Sequence, residues 1–80
     1  MTAPPRVVVY TKPGCHLCED ACLEVARVAA DVGVGWERRD ISGDEQLMRE
    51  WGEYIPVILV DGKVHDWFRV REDRLRAALG

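Results

Sequence analysis

The chain has 80 residues, a length that suits one small domain, and 48% of them are hydrophobic while 31% are charged. This composition favours a compact core and excludes an intrinsically disordered chain. The formal net charge of -3, made up of both signs, excludes the strongly basic surface that binding to nucleic acid requires.

The segment before the first predicted strand, Met1–Pro5, is short and polar. The apolar run after it, Val7–Thr11, is too short for a signal peptide or a membrane span. We therefore expect one domain over residues 1–80, located in the cytoplasm and without membrane contact. Structural disulfides are rare in that compartment, so the cysteines call for another explanation.

The first half of the chain predicts a strand, a long helix and a second strand. Residues 6–11, Arg-Val-Val-Val-Tyr-Thr, are typical of a strand that is buried on both faces. Apolar residues then recur at spacings of three and four from about Cys15 to Val32, which predicts a helix ending at Gly33. Residues 34–40 are polar enough for a strand near the sheet edge. The predicted apolar stripe of the helix consists of Leu17, Ala21, Val25, Val28 and Val32.

A short second helix is predicted after residue 42. The sequence Ser42-Gly-Asp-Glu45 fits a capping box, and Gly52 would end the helix. The apolar face consists of Leu47, Met48 and Trp51. We expect Trp51 to lie in the core.

The last third of the chain predicts a hairpin and a helix. Residues 57–60 form a buried-type strand, and Asp61-Gly62 favours a two-residue turn after which residues 63–68 return antiparallel. A helix over about residues 71–79 presents Leu75, Ala78 and Leu79. The order β-α-β-α-β-β-α predicts an α/β fold with one mixed four-stranded sheet flanked by helices, in which the first two strands are parallel.

The last predicted strand ends in two aromatic residues. Neighbours in a strand point to opposite faces, so we expect either Trp67 or Phe68 in the core and the other at a partner surface or over the sheet edge. His65, in the same edge strand, should lie on the surface.

Three cysteines lie within eight residues, where the first strand ends and the first helix begins. Cys15 and Cys18 have the C-x-x-C spacing on the first helical turn, where unpaired N–H groups and the helix dipole stabilise a thiolate. With Lys12 adding positive charge, we expect the pKa of Cys15 to lie below that of a free cysteine. Because thiolates attack disulfides, Cys15 is the predicted nucleophile and Cys18 the resolving thiol. His16 and Leu17, between them, would tune the redox potential.

Two other interpretations of the cysteines stay open. A C-x-x-C pair is often half of a zinc site, but four ligands here would have to come from Cys15, Cys18, Cys22 and His65, with His16 as a substitute. Cys15 and Cys22 lie about 10 Å apart by the rise of a helix, so they would not converge on one ion. We therefore predict no metal site. The second interpretation is packing alone, which we favour for Cys22.

These motifs together resemble a known family. A strand followed by Lys12-Pro-Gly-Cys-x-x-Cys18, a long helix, Ile55-Pro56 before a buried strand and Asp61-Gly62 is similar to a glutaredoxin-like protein of the thioredoxin superfamily. The similarity covers about residues 6–79. It implies a thioredoxin-like fold and disulfide oxidoreductase activity.

The resemblance also implies a site. Pro56 would be cis and lie across from Cys15, and the backbone of Ile55 would pair with an extended substrate segment. Lys12 would help to hold a glutathione carboxylate. The substrate-binding residues predicted on this basis are Lys12, His16, Leu17, Ile55 and Pro56.

The chain departs from the family where glutathione binds. Residues 67–71, Trp-Phe-Arg-Val-Arg, replace the glycine pair that precedes the last helix of glutaredoxins, and Tyr54-Ile-Pro56 replaces Thr-Val-Pro. Because side chains block the approach of a ligand to the backbone, we expect no glutathione binding in the usual mode. Arg69 or Arg71 could hold a carboxylate instead, although solvated arginines are the interpretation that we favour.

We therefore predict a monomeric thiol–disulfide oxidoreductase that acts on protein or small-molecule disulfides. The dithiol carries the electrons, so no bound cofactor is expected, and an external dithiol or glutathione would reduce the enzyme again. One alternative is a glutaredoxin-like protein that binds an iron–sulfur cluster or another metal through Cys15. Another is a thioredoxin-fold adaptor without turnover.

Overall fold

The computed structural model describes residues 4–80. Its strands are β1 (Val7–Thr11), β2 (Trp36–Asp40), β3 (Val57–Val60) and β4 (Lys63–Trp67), and its helices are α1 (His16–Val32), α2 (Glu45–Trp51) and α3 (Glu72–Leu79). The predicted order of elements is confirmed. The expectation for Met1–Pro5 falls in part on residues 1–3, which lie outside the described residues. Among residues 4–80, no helix has the length and apolar character needed to cross a membrane.

The four strands form one mixed sheet in the order β2-β1-β3-β4. β1 and β2 are parallel because α1 carries the chain back to the end where β1 began, and the other two pairs are antiparallel. The central positions of β1 and β3 explain their valine-rich sequences, since all but one residue of each strand is buried. The polar strand β2 lies at an edge, as predicted.

Two apolar clusters lie on opposite faces of the sheet, because successive side chains of a strand alternate between the faces. α1 and α3 cover the first face, and the shorter helix α2 covers part of the second. The first cluster consists of Val7, Val9, Cys22, Val25, Val28, Ile58, Val60, Leu75 and Leu79. The second cluster consists of Tyr10, Cys18, Ile41, Ile55 and Val57.

The buried face of α1 differs from the predicted stripe at both ends. Leu17 and Val32 expose 53% and 37% of their surface, whereas the buried residues include Cys18, Cys22 and Ala29. The face of α1 that packs on the sheet therefore includes these smaller side chains, and Leu17 lies outside it. In α3, likewise, the predicted apolar residue Ala78 is exposed.

The start of α2 is not the predicted capping box. Asp44 is the N-cap, and its Oδ1 accepts the N–H of Leu47 at 3.0 Å. Ser42 donates its backbone N–H to the Asp40 carboxylate at 2.9 Å and belongs to the preceding turn. Trp51 is only half-buried against the second cluster, contrary to expectation, because α2 is short and buries none of its residues completely.

The hairpin after β3 forms as predicted, but it contains a bulge. Asp61 and Gly62 both have positive φ, 53° and 83°, as a two-residue turn between twisted strands requires. Ile58 pairs with Asp66 while Leu59 pairs with Val64, so β4 carries one extra residue. At residue 65, the side chains of β4 therefore stop alternating regularly between the two faces of the sheet.

The bulge decides where the side chains of β4 point, because directly paired residues share a face. Asp66 lies with Ile58 on the face covered by α1 and α3, and it is buried. Val64 and Trp67 lie together on the opposite face. His65, the extra residue, is half-buried rather than a surface residue, and its Nε2 is buried without a hydrogen-bond partner among residues 4–80.

The expectation that either Trp67 or Phe68 is buried is wrong. They expose 47% and 46% of their surface. Phe68 lies beyond the end of β4 with a φ of 68°, in the left-handed region, so the alternation of a strand does not reach it. Both aromatic side chains therefore face solvent at the same corner of the molecule.

Glu72, the first residue of α3, ties that helix to α1. Its carboxylate accepts hydrogen bonds from Arg27 at 3.0 and 2.9 Å, and from Arg76 at 3.1 and 3.0 Å. These bonds, with Arg27 as the larger cause, hold the pKa of Glu72 below its ordinary value. The folded chain therefore binds fewer protons at this carboxylate than the unfolded chain does.

We expect this carboxylate to make stability depend on pH. Its contribution is complete above the pKa of the unfolded chain, and it is lost as the pH falls through the lower pKa of the folded chain. In thermal unfolding across the acid range, Glu72→Gln should show a shallower fall of Tm than the wild type. Glu53→Gln, an exposed control without an ion pair among residues 4–80, should keep the wild-type slope. Identical slopes for all three proteins would contradict the prediction.

Candidate active site

The two cysteines of the C-x-x-C motif lie at the carboxyl end of β1, where the chain enters α1. The turn passes through Gly14, whose φ of 72° is readily adopted by glycine and disfavoured for other residues. Cys15 is the N-cap of α1, in an extended conformation, and the helix begins at His16. The predicted position of the motif on the first helical turn is thus confirmed, with Cys15 one residue before the helix.

Cys15 and Cys18 are joined by a disulfide, with their Cα atoms 5.2 Å apart. The Sγ of Cys15 also accepts the backbone N–H of Cys18 at 3.2 Å. That N–H is one of the donors that the first turn of a helix leaves without a backbone partner. The helix end therefore directs a hydrogen-bond donor at the sulfur of Cys15.

The two sulfur-bearing residues differ in their access to solvent. Cys15 is half-exposed, whereas Cys18 exposes 0% of its surface and belongs to the second cluster. An incoming molecule can therefore reach Cys15 but not Cys18. The difference arises because the N-cap lies at the rim of the molecule and the following turn packs on the sheet.

Three of the predicted substrate-binding residues lie within three positions of Cys15 in the chain and are exposed. Lys12 is exposed in the turn after β1, and Leu17 is exposed on the first turn of α1. The side chain of His16 is 91% exposed, and its Nε2 lies 4.0 Å from the carboxylate of Asp20 one turn further along. These exposed side chains can therefore contact a molecule that approaches Cys15.

The other two predicted residues, Ile55 and Pro56, are buried just before β3. The peptide bond between them is cis, as the resemblance implied. Cys15 packs against the second cluster, to which Ile55 belongs, so the disulfide and this loop are neighbours. Within residues 4–80, neither backbone group of Ile55 takes part in a backbone–backbone hydrogen bond.

The loop after β4 is hydrogen-bonded to the loop that contains Ile55 and Pro56. The N–H of Phe68 lies 2.8 Å from the carbonyl oxygen of Pro56 and 3.3 Å from that of Tyr54. The ring of Phe68 lies 6.2 Å from that of Tyr54, between centroids. Sequence reasoning noted aromatic residues in place of a glycine pair but missed that Phe68 would lie beside the site, because only the folded chain brings the two loops together.

The two arginines considered for carboxylate binding have different surroundings. The Nε of Arg71 lies 3.9 Å from Oδ2 of Asp66, whose side chain is only 9% exposed. The other oxygen of Asp66 accepts the N–H of Trp67 at 3.0 Å. Arg71 thus already faces a carboxylate of the protein. Arg69 is exposed and forms no ion pair within the described part of the chain.

Cys22 lies in the first cluster and exposes 5% of its surface. Burial, the larger cause, raises the pKa of its thiol. A protonated, inaccessible thiol does not attack disulfides, so the packing interpretation of Cys22 agrees with the structure. Across residues 4–80, no group of three or more His, Cys, Asp and Glu side chains is placed to hold a metal ion.

Comparison with known proteins identifies a matching family and a similar protein. The model of the glutaredoxin-like domain (DUF836) family matches residues 6–80. A protein of Mycobacterium tuberculosis, described as uncharacterized, is 32% identical over 78 residues, which cover 91% of this chain and 80% of that protein.

Three solved structures are similar in fold. Protein Ne2328 from Nitrosomonas europaea has a TM-score of 0.82 at 28% identity, covering 100% of this chain and 96% of its own. Protein XcR50 from X. campestris has a TM-score of 0.75 at 30% identity, covering 91% and 93%. Fasciola hepatica thioredoxin, at 24% identity and a TM-score of 0.59, covers 91% and 75% and confirms the predicted thioredoxin-like fold. The chain therefore belongs to the glutaredoxin-like domain (DUF836) family and carries a C-x-x-C cysteine pair on a thioredoxin-like fold.

Proposed function

We propose that the protein is a thiol–disulfide oxidoreductase that acts on protein or small-molecule disulfides, with Cys15 as the nucleophile and Cys18 as the resolving thiol. One observation carries the proposal. The two cysteines form a disulfide at a helix N-terminus in which Cys15 is accessible and accepts a helix N–H, while Cys18 is buried. An accessible sulfur that is stabilised as a thiolate is suited to attack, and a buried one is suited to act second.

The proposed cycle begins with the reduced protein. The Cys15 thiolate attacks one sulfur of a substrate disulfide, forms a mixed disulfide with it and releases the other half as a thiolate. Cys18 then attacks Sγ of Cys15, and its proton passes to the departing substrate thiolate. This step forms the Cys15–Cys18 disulfide and releases the second half of the substrate. Two electrons pass from the protein to the substrate, and an external dithiol, or two molecules of glutathione, returns them.

Substrate binding in this proposal uses both sides of the disulfide. Lys12, His16 and Leu17 line the exposed side, where they contact the group that leaves or enters. The backbone of Ile55 forms strand-like hydrogen bonds with an extended substrate on the other side. The protein dithiol carries the electrons, so the proposed chemistry does not depend on a resident cofactor.

The pKa of Cys15 tests the proposal directly. We expect alkylation of the reduced protein, followed by mass spectrometry of the cysteine-containing peptides, to show a Cys15 pKa below that of a cysteine in an unstructured peptide. The reason is that the N–H groups at the start of α1 favour the anion. Cys22 is the internal control and should react slowly at every pH at which the protein is folded. A Cys15 profile identical to that of the peptide would contradict the proposal and favour an adaptor without turnover.

A further inference from the structure

The molecule exposes several large apolar side chains around the candidate active site. Single exposed apolar residues are normal, but a contiguous group marks an interaction surface. Leu17 and Phe68 line one groove, of about 270 Å³, between α1 and the loop after β4. Tyr54 contacts Phe68 and also Trp51, whose ring centroid lies 6.1 Å from its own. Exposed apolar side chains thus line the groove beside the C-x-x-C motif, and aromatic neighbours connect Phe68 to α2.

The backbone of Phe68 indicates that its ring has a role. A φ of 68° is unfavourable for a bulky residue, and glycine adopts it without steric cost. The two carbonyl oxygens around its N–H hold this conformation. Burial does not explain a phenylalanine here, since 46% of its surface stays in solvent. A strained residue beside an active site is grounds for inferring a function.

The charges on the rim of the groove indicate what would fill it. Asp20 and Glu24 lie on the α1 side, and Arg69 lies on the opposite side. Glu24 is paired with Arg27 at 2.6 Å, whereas no lysine or arginine of residues 4–80 forms an ion pair with Asp20, whose carboxylate lies 4.0 Å from Nε2 of His16. The rim next to α1 therefore attracts a positive group. Glutathione carries a net negative charge and has no apolar side chain for the floor of the groove.

We propose that the groove between Leu17 and Phe68 binds an extended protein segment in which an apolar residue and a basic residue follow the cysteine to be reduced. The apolar side chain packs between Leu17 and Phe68, and the basic side chain faces Asp20. This inference rests on the proposed function, because it assigns the substrate of the same disulfide. The site then has a higher kcat/KM for protein disulfides of this kind than for glutathione disulfide.

The test compares substrates whose reacting disulfide is the same. One peptide has a central cysteine followed by leucine and lysine, and the second has serine and glutamate at those two positions. Each cysteine is joined to 2-mercaptoethanol by a disulfide, and bis(2-hydroxyethyl) disulfide serves as the small reference substrate. We expect kcat/KM of the wild type to be higher for the leucine–lysine peptide than for the other peptide and for glutathione disulfide. The reverse order would overturn the proposal.

Two variants test whether Phe68 and Asp20 cause the preference for the leucine–lysine peptide, and a third variant is the control. Phe68→Gly, which the backbone accommodates, should lower the ratio of kcat/KM for the leucine–lysine peptide to that for the small reference by at least about tenfold, the loss expected from one apolar contact. Asp20→Lys should shift preference toward the serine–glutamate peptide. Leu23→Ala, at a 71% exposed position of α1 outside the groove, should leave all rates unchanged. An unchanged ratio in Phe68→Gly would overturn the proposal.

A binding measurement separates this proposal from the proposed function. The leucine–lysine peptide with serine in place of cysteine cannot react, so its NMR titration reports docking alone. We expect shifts in the amide resonances of Leu17 and Phe68 in the wild type, and smaller ones in Asp20→Lys. A protein that binds this peptide but reduces no disulfide would refute the activity and leave the docking surface standing. A protein that reduces disulfides but shows no shifts would refute the docking surface alone.

Discussion

Replacing Cys15 by serine is expected to abolish disulfide reduction, leaving only the uncatalysed rate of exchange. A serine hydroxyl is not ionised near neutral pH and cannot form the mixed disulfide, so both steps of the proposed cycle are lost. Cys18 cannot take over because it exposes 0% of its surface. The measurement is turnover of a labelled protein disulfide and of bis(2-hydroxyethyl) disulfide with an external dithiol as the reductant.

The matched control removes the third cysteine. Cys22 is a free cysteine that packs in the first cluster, so Cys22→Ala should keep its activity while losing roughly 1 kcal/mol of stability for one truncated buried side chain. Full activity in Cys15→Ser, or a loss in Cys22→Ala greater than unfolding explains, would show that the nucleophile is assigned wrongly.

Replacing Cys18 by serine should instead trap the substrate. Cys15 still attacks, but the thiol that would release the product is gone, so a covalent complex accumulates with one substrate thiol per protein chain. Mass spectrometry should give the mass of this complex, and a reducing agent should cleave its mixed disulfide. Identifying the proteins trapped from a cell extract would then reveal the natural substrates.

This variant requires a test of folding, because Cys18 is completely buried. A serine hydroxyl buried there without a hydrogen-bond partner lowers the free energy of unfolding by about 1–3 kcal/mol. Circular dichroism is therefore needed first, to show that the variant is folded. The double variant Cys15→Ser and Cys18→Ser is the matched control and should trap nothing. If Cys18→Ser forms no complex while the wild type turns over, Cys18 is not the resolving thiol.

Local patterns in the sequence predicted most of the fold. The valine-rich strands β1 and β3, the long helix α1 and the Asp61–Gly62 turn all formed where they were expected. Each depends on residues within one segment, whose periodicity or turn chemistry specifies the structure directly. The capping box predicted at Ser42 did not form, because Asp44 is the N-cap and Ser42 belongs to the preceding turn.

The sequence by itself located the cysteine pair of the site. A C-x-x-C pair placed by a strand and a helix start puts one sulfur at a helix N-terminus, whatever the rest of the chain does. Cys15 and Cys18 were identified from the spacing and position alone, and the structure finds them bonded to one another. The position of the cysteine pair is therefore a local property.

Only the tertiary structure decided what surrounds that disulfide. The bulge in β4 puts Val64 and Trp67 on one face, and the left-handed backbone of Phe68 turns its ring toward Leu17. Neither follows from alternation along the sequence, because the pairing of β4 with β3 sets the bulge and the loop around Pro56 anchors Phe68. Contacts between segments that are distant in the chain thus shape the surface around the disulfide, while residues that are close in the chain place the two cysteines.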